Sequence, residues 1–260
     1  MDNKLGNLIR IAISCAVIVF LGSCAVRPTD PEELAEFMET NDPFEPFNRK
    51  VFAFNQAVDE NFLVPVAKGY RTVVPEEARK SIRNFTNNLR EPYNFVNNLL
   101  QLSPDTPKTL ARFIINSTIG FLGFFDVASE LGLEYDEEDF GQTLALWGIP
   151  EGPYLVLPLF GPSNFRDSAG VVVGIVADPV NLTLGGLGLK IVSYSISGLN
   201  LISQREAYLD PVEQIKANSL DYYATMRSLY RQRRLKMIYD FDPSERKNLP
   251  ILRDTKDFRD

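Results

Sequence analysis

From Ser168 to Gln204 the chain runs for 37 residues with only two charged side chains, Asp178 and Lys190. Two further stretches, Phe113 to Phe125 and Gly152 to Phe165, carry no charge at all. Apolar length of this kind must leave water, and a dry core or a lipid phase can accept it. Gly and Pro interrupt each stretch, so none reads as regular enough to span a bilayer, which takes ~20 unbroken helical residues. The choice is between helices that fill an interior and short helices and loops sunk into one leaflet or lining an amphipathic cavity.

The N-terminus bears on that choice. Lys4 and Arg10 precede an uncharged run from Ile11 to Leu21, too short to span but suited to a secretory signal. Leu21-Gly22-Ser23-Cys24 then resembles a bacterial lipobox, in which small residues admit the signal peptidase and the thiol accepts diacylglycerol. Cys24 is therefore the expected lipid anchor, with residues 1–23 as signal peptide and 24–43 as a lipidated tether rich in Pro and acid. Ala25, where Asp would favour retention at the inner membrane, favours the outer membrane. Each buried acyl methylene adds ~0.8 kcal/mol of membrane affinity, so a multi-chain anchor holds the folded part at the lipid surface.

What is missing narrows the chemistry. There is no histidine, and the only cysteines are Cys15 and Cys24. The commonest general base and transition-metal ligand is absent, and the folded part has no thiol for a zinc cluster or a nucleophile. No metal or cofactor is expected, nor an enzyme, because no Ser, Lys, Asp or Glu pairing stands out as nucleophile and base. A net charge of −7 argues against nucleic acid. Gly185-Gly186-Leu187-Gly188-Leu189-Lys190 lacks the ending of a phosphate loop and reads as a connection. Gly161-Pro162-Ser163-Asn164-Phe165 reads as a turn.

Helical spacing dominates elsewhere. Phe44, Phe47, Val51, Phe54 and Val58 recur at steps of three and four. Ala78, Ile82, Phe85 and Leu89 follow the helix start Pro75-Glu76-Glu77, and Pro107 opens a helix with Leu110, Phe113 and Ile114 on its apolar side. Arg205 to Tyr239 is helical again, broken at Asp210-Pro211. Strand alternation is not sustained, and the expected fold is all-α, with a helical domain over 44–240 and a polar tail over 241–260.

Several stretches resemble the MlaA (VacJ) family of outer-membrane lipoproteins in their order and spacing. They are Asn41-Asp42-Pro43-Phe44-Glu45-Pro46-Phe47-Asn48-Arg49, Asn84-Phe85-Thr86-Asn87-Asn88-Leu89, Arg112-Phe113-Ile114-Ile115-Asn116-Ser117, Glu138-Asp139-Phe140-Gly141-Gln142-Thr143-Leu144, Gly152-Pro153-Tyr154, Arg166-Asp167 and Asp178-Pro179. One departure is Ser219-Leu220-Asp221-Tyr222-Tyr223, where some members carry Asp-Pro-Tyr, at the start of the last helix.

The resemblance implies a ring-like bundle of amphipathic and interfacial helices around an amphipathic channel, embedded in one leaflet. It implies partners too: phospholipid, a trimeric outer-membrane porin and a soluble periplasmic lipid carrier. On that pattern Tyr154, Asn48, Asn55 and Phe125 fall on the lipid path. Glu134, Asp136, Glu137, Glu138 and Asp139 fall in a movable gate loop, although an acidic run is also what a plain solvated loop looks like. Arg231, Arg233 and Arg234 are candidates for headgroup or carrier contact, or simply cations at a helix C-terminus. The expected function is passive removal of phospholipid from the outer leaflet. The alternative is a lipoprotein that scaffolds a porin or envelope complex without moving lipid.

Overall fold

The computed structural model describes residues 40–239. Cys24, the signal segment, the tether up to residue 39 and the C-terminal tail lie outside them. The fold is helical, with one two-stranded hairpin. In order the elements are α1 (Glu45–Val58), a π-helical turn (Asp59–Leu63), α2 (Val64–Val73), α3 (Glu76–Leu100), α4 (Thr106–Thr118) and the single turn α5 (Val127–Glu130). They continue with α6 (Phe140–Leu146), β1 (Tyr154–Leu157), β2 (Gly161–Asn164), α7 (Phe165–Ala177), α8 (Pro179–Gly186), α9 (Lys190–Ala207), α10 (Leu209–Asn218) and α11 (Tyr222–Tyr239). The chain divides into two compact units. One holds the residues up to Ala57 with Glu151–Phe165, and the other Val58–Pro150 with everything from Arg166 onward.

In the first unit, α1 is joined to the hairpin by two asparagines two helical turns apart. Asn48 Nδ2 donates to the Tyr154 carbonyl (3.1 Å), and Asn48 Oδ1 accepts the Val156 N–H (2.9 Å). One heptad on, Asn55 Nδ2 donates to the Leu157 carbonyl (2.9 Å), and its Oδ1 accepts the Leu159 N–H (2.8 Å). A carboxamide carries the same donor and acceptor as a peptide unit, so the two side chains satisfy β1 backbone groups as a neighbouring strand would. The strands pair antiparallel from Tyr154 opposite Asn164 to Leu157 opposite Gly161. The segment read as a turn, Gly161–Asn164, is thus a strand. Period-two alternation cannot show in four residues that begin Gly-Pro.

In the second unit, Pro75 caps α3 and a proline lies in the first turn of α4, as their start signals require. Helix α3 is much longer than its apolar register suggested. The late break falls at Tyr208, with Pro211 inside the first turn of α10, and α11 starts at Tyr222 after the exposed Leu220.

The inward face of α4 is the opposite of that expected from apolar spacing, and on α3 the expected Ala78, Ile82, Phe85 and Leu89 are only half-buried, while polar side chains are the buried ones. Helix α3 buries Thr86, Asn88, Glu91, Asn94, Asn97 and Asn98 and exposes Val96, Leu99 and Leu100. Helix α4 buries Thr109, Arg112 and Asn116 at i, i+3 and i+7 and exposes Leu110 and Ile114. Nor does the Phe54 of α1 enter a core; it is exposed. Among the described residues, 10 buried side chains are apolar and 23 are polar or charged. Apolar surface on a protein is ordinary, but a polar interior is not.

A long apolar run with three charged residues, Arg166, Asp167 and Asp178, completes the inversion. Phe165–Gly186 is 22 residues, long and apolar enough in length and composition to cross a membrane, and only 6% of its apolar window is buried. The length alone therefore reaches that of a span, whereas the expectation is that no stretch is both long and regular enough. The run is nevertheless two helices, because Asp178 stops α7 and caps α8 by accepting the Asn181 N–H (2.8 Å). At 1.5 Å per residue, α7 is about 20 Å long and α8 about 12 Å, both shorter than a ~30 Å hydrocarbon core. The reading of this run as buried core is overturned by its exposure.

Candidate functional site

A polar seam between α3 and α4 centres on one arginine. Arg112 Nε donates to Glu91 Oε1 (2.7 Å), and its Nη2 donates to Asp126 Oδ1 (3.1 Å), the N-cap of α5. Its Nη1 donates to Ser129 Oγ (3.0 Å) and to the Leu133 carbonyl at the start of the acidic loop. Asn116 adds a bond to Asp126 Oδ1 (2.9 Å), and Asn98 joins the helices through Thr109 Oγ1 (3.0 Å). Burial pushes the Glu91 carboxyl up, and its bond to Arg112 only partly offsets that. For Asp126, burial is outweighed by donors from Ser129 and Asn116 and by the Arg112 charge, so its carboxyl is held low. A buried charge is tolerable only with such partners.

The acidic loop that follows α5 is irregular from Leu133 to Asp139. It is clasped on several sides. Asp136 pairs with Lys108 on α4, Glu137 pairs with Arg90 (3.0 Å) and with Arg233 (3.2 Å), and Glu138 accepts a bond from Gln101 Nε2 (3.0 Å). Asn94 on α3 grips the loop backbone at both Asp136 and Glu138, and Glu134 faces solvent. Burial, together with the nearby Asp139, Asp136 and Asp105, raises Glu138 to about 7 despite the Gln101 bond.

Asp139 ends the loop and begins α6. Its N–H donates to Gln142 Oε1 (2.7 Å) while its Oδ1 accepts the Gln142 N–H (3.0 Å), a reciprocal cap. The same carboxylate is held by Arg234 of α11 through Nη1 (2.5 Å) and Nη2 (2.7 Å). Arg234 Nε lies 2.8 Å from Asp167 Oδ2 at the start of α7. Arg166 Nε (3.0 Å) and the Tyr230 hydroxyl (2.5 Å) also donate to Asp167. Burial would raise Asp139, but the bonds and charge of Arg234 and the backbone N–H groups of α6 win and hold it low. Tyr230 is pushed up by burial and by the Asp167 charge beside it. Two glycines allow this convergence: a Cβ on Gly170 of α7 would stand 2.5 Å from the Gly141 nitrogen, and one on Gly141 would stand 2.5 Å from Arg234 Nη2.

The structure distributes the expected site residues unevenly. Asn48 and Tyr154 are buried inside their unit, Asn55 is half-buried, and Asn48 and Asn55 hold β1 and loop backbone. Phe125 is exposed, in an apolar loop with Ile119, Phe121 and Leu122. Of the five loop acids, Asp136, Glu137 and Asp139 are ion-paired, Glu138 accepts from Gln101 and Glu134 faces solvent, so the segment is a clasped strap more than a plain solvated loop. The arginine trio divides. Arg233 is exposed and pairs with the loop, whereas Arg234 is buried between two carboxylates. Sequence reasoning missed Glu91 and Asp126 as partners of Arg112, and Glu206 with its three arginines. A signal existed: Thr109, Arg112 and Asn116, like Glu91, Asn94 and Asn98, keep helical spacing among polar residues.

These features define a class: an all-helical protein with charge and amide networks inside and large apolar side chains outside. The chain belongs to the MlaA lipoprotein family, whose model matches residues 40–237. It is 32% identical over 232 residues to the intermembrane phospholipid transport system lipoprotein MlaA of Escherichia coli, covering 86% of this chain and 87% of that one. Its identity to the protein of that name from Haemophilus influenzae is 34% over 200 residues, 75% and 78% of the two chains. A Rickettsia bellii protein is 41% identical over 202 residues, 75% of this chain and 76% of that protein. A structure solved for the structural basis for maintenance of bacterial outer membrane lipid asymmetry matches with a TM-score of 0.66 at 34% identity, covering 76% of this chain and 98% of that one.

Proposed function

We propose that this protein is a passive phospholipid conduit of the outer membrane. It is anchored through Cys24, seated in the periplasmic leaflet, and removes phospholipid from the outer leaflet. The observation that carries the reading is the inverted polarity: only 6% of the apolar window within Phe165–Gly186 is buried, while Arg112, Glu91 and Arg234 are inside. In water that arrangement would expose apolar surface at ~25 cal/mol per Å²; against acyl chains it is favourable. Because α7 and α8 are each too short to cross, the apolar helices suit one leaflet. The relatives named for intermembrane phospholipid transport support the cargo.

A phospholipid with two chains exposes some thirty methylenes, on the order of 20 kcal/mol if bared to water. Transit therefore needs apolar shielding for tails and polar groups for the headgroup, and this chain supplies both. Binding energy sets no direction, so net flow follows the lipid gradient and a soluble periplasmic carrier downstream. A trimeric porin beside the protein completes the proposed assembly.

Deleting the gene should raise outer-leaflet phospholipid and detergent sensitivity, and restoring the wild-type chain should reverse both. Unchanged outer-leaflet lipid in the deletion strain would sink the proposal. Porin co-purification without lipid movement in reconstituted vesicles would leave only a scaffold.

A further inference from the structure

A second charge cluster in the larger unit has more cation than its carboxylates need. Glu206 near the end of α9 is buried, its side chain 4% exposed. Three arginines converge on it: Arg71 of α2 through Nε (2.8 Å), Arg79 of α3 through Nη1, and Arg83 of α3 through Nη1 (3.2 Å). Arg71 also donates to the Glu206 carbonyl (2.8 Å) and chelates Asp210 (2.9 and 3.0 Å), which is thereby spoken for. Arg79 and Arg83 are left to share one carboxylate with Arg71.

Each guanidinium has five N–H donors, and Arg79 and Arg83 each spend one on Glu206. Arg79 Nε is buried with no acceptor, and the Arg83 side chain remains 33% exposed. The two stand one turn apart on α3, where like charges repel. A single carboxylate does not need three cations, so neutralising Glu206 does not account for the set. A phosphate would: it offers several acceptor oxygens to paired guanidinium forks. Exposed apolar side chains lie two residues from two members of the cluster, Val73 after Arg71 and Tyr208 after Glu206. In a chain of net charge −7, a cationic focus of this kind stands against the background field.

We infer that Arg79 and Arg83, poised on Glu206, form a binding site for the phosphate of a phospholipid headgroup. The inference rests on the phospholipid reading above and gives it a specific contact. Glu206 acts as a positioning residue, splaying the arginines and holding them between encounters.

The test uses the full chain in a maltoside detergent and three probes measured calorimetrically: dihexanoyl phosphatidylglycerol, dihexanoyl glycerol without phosphate, and inorganic phosphate alone. The phosphatidylglycerol should bind at least about tenfold more tightly than either other probe, and R79Q/R83Q should weaken it about tenfold. Because the double variant removes two partners of a buried carboxylate, R83Q alone is measured beside it, at a side chain already open to solvent. R83Q should fold with an unchanged melting temperature and lose about threefold in affinity. Unchanged phosphatidylglycerol binding in both variants would overturn the site, as would equal binding of the phosphate-free glyceride. Inorganic phosphate binding as tightly as the lipid would make this a free-anion site and overturn the lipid assignment. If R79Q/R83Q binds normally while the wild-type chain still clears the outer leaflet, the site alone fails. A deletion strain with normal outer-leaflet lipid fails the transport reading instead.

Discussion

The guanidinium of Arg234 grips both carboxylate oxygens of Asp139, at 2.5 and 2.7 Å, from a helix 95 residues further along the chain. This pair fixes the end of the acidic loop and the start of α6 in one contact. Because Arg234 also reaches Asp167, the loop, α6, α7 and α11 share a single buried cation.

Replacing that cation should release the loop. R234M strands Asp139 in low dielectric, while Asp167 keeps Arg166 and Tyr230, and breaking a buried pair of this kind costs about 3–5 kcal/mol. In a domain of this size that lowers the melting temperature by roughly 10 °C. Hydrogen exchange should rise over residues 131–139 and at the first turn of α6. Exchange confined elsewhere would show that the loop is held by its other contacts.

The loop should also respond to pH through Glu138. Its carboxyl is raised to about 7 from an ordinary value of 4.5, so across that window the folded state holds a proton that the unfolded state has lost. The neutral form is the stable one. Its contribution is complete below about pH 4.5 and is lost as pH rises through about 7. Loop exchange should therefore speed as pH rises from about 4.5 to about 7 in the wild-type chain, beyond the intrinsic chemical rate, and level off above that, and E138Q should flatten that excess.

Arg112 offers a reciprocal test. R112M leaves Glu91 buried and uncompensated and should cost about 3–5 kcal/mol, whereas R112M/E91L removes both charges and should recover much of that loss. Chemical denaturation of the three proteins measures it. A double variant no better than the single would mean that the Arg112 bonds to Asp126, Ser129 and Leu133 outweigh the ion pair with Glu91.

The exterior can be tested by adding charge to it. Val176 is 67% exposed on α7, so V176E should change the melting temperature in detergent by only a degree or two; a buried site would lose several kcal/mol. On a C24S background, which removes the proposed acyl anchor, the same change should weaken flotation with phospholipid vesicles severalfold. Unaltered flotation would place the lipid-facing surface elsewhere.

Much of the helical skeleton was readable because its signals are local. Pro75-Glu76-Glu77 and Pro107 mark starts whose geometry depends on a few neighbouring dihedrals, and Asp178-Pro179 interrupts the longest apolar run where the structure ends α7. The hairpin was not readable: β1 is held by Asn48 and Asn55, more than 100 residues away in sequence, and neither short strand has room for a pattern. The acidic run is plain in the sequence, yet its cations come from Lys108, Arg90, Arg233 and Arg234 on three separate helices, which only folding assembles.

Taken alone, the amino-acid order determined that the body is helical, where apolar length accumulates, and that histidine and thiol chemistry are missing from it. Tertiary structure decided which side of each helix turns inward. Periodicity reports that a helix has two unlike faces, but the free energy that orients them depends on the surrounding phase. Here α3 and α4 turn Glu91, Arg112 and their amides toward one another, where they satisfy each other's charge and hydrogen bonds, and leave Leu99, Leu110 and Ile114 outside.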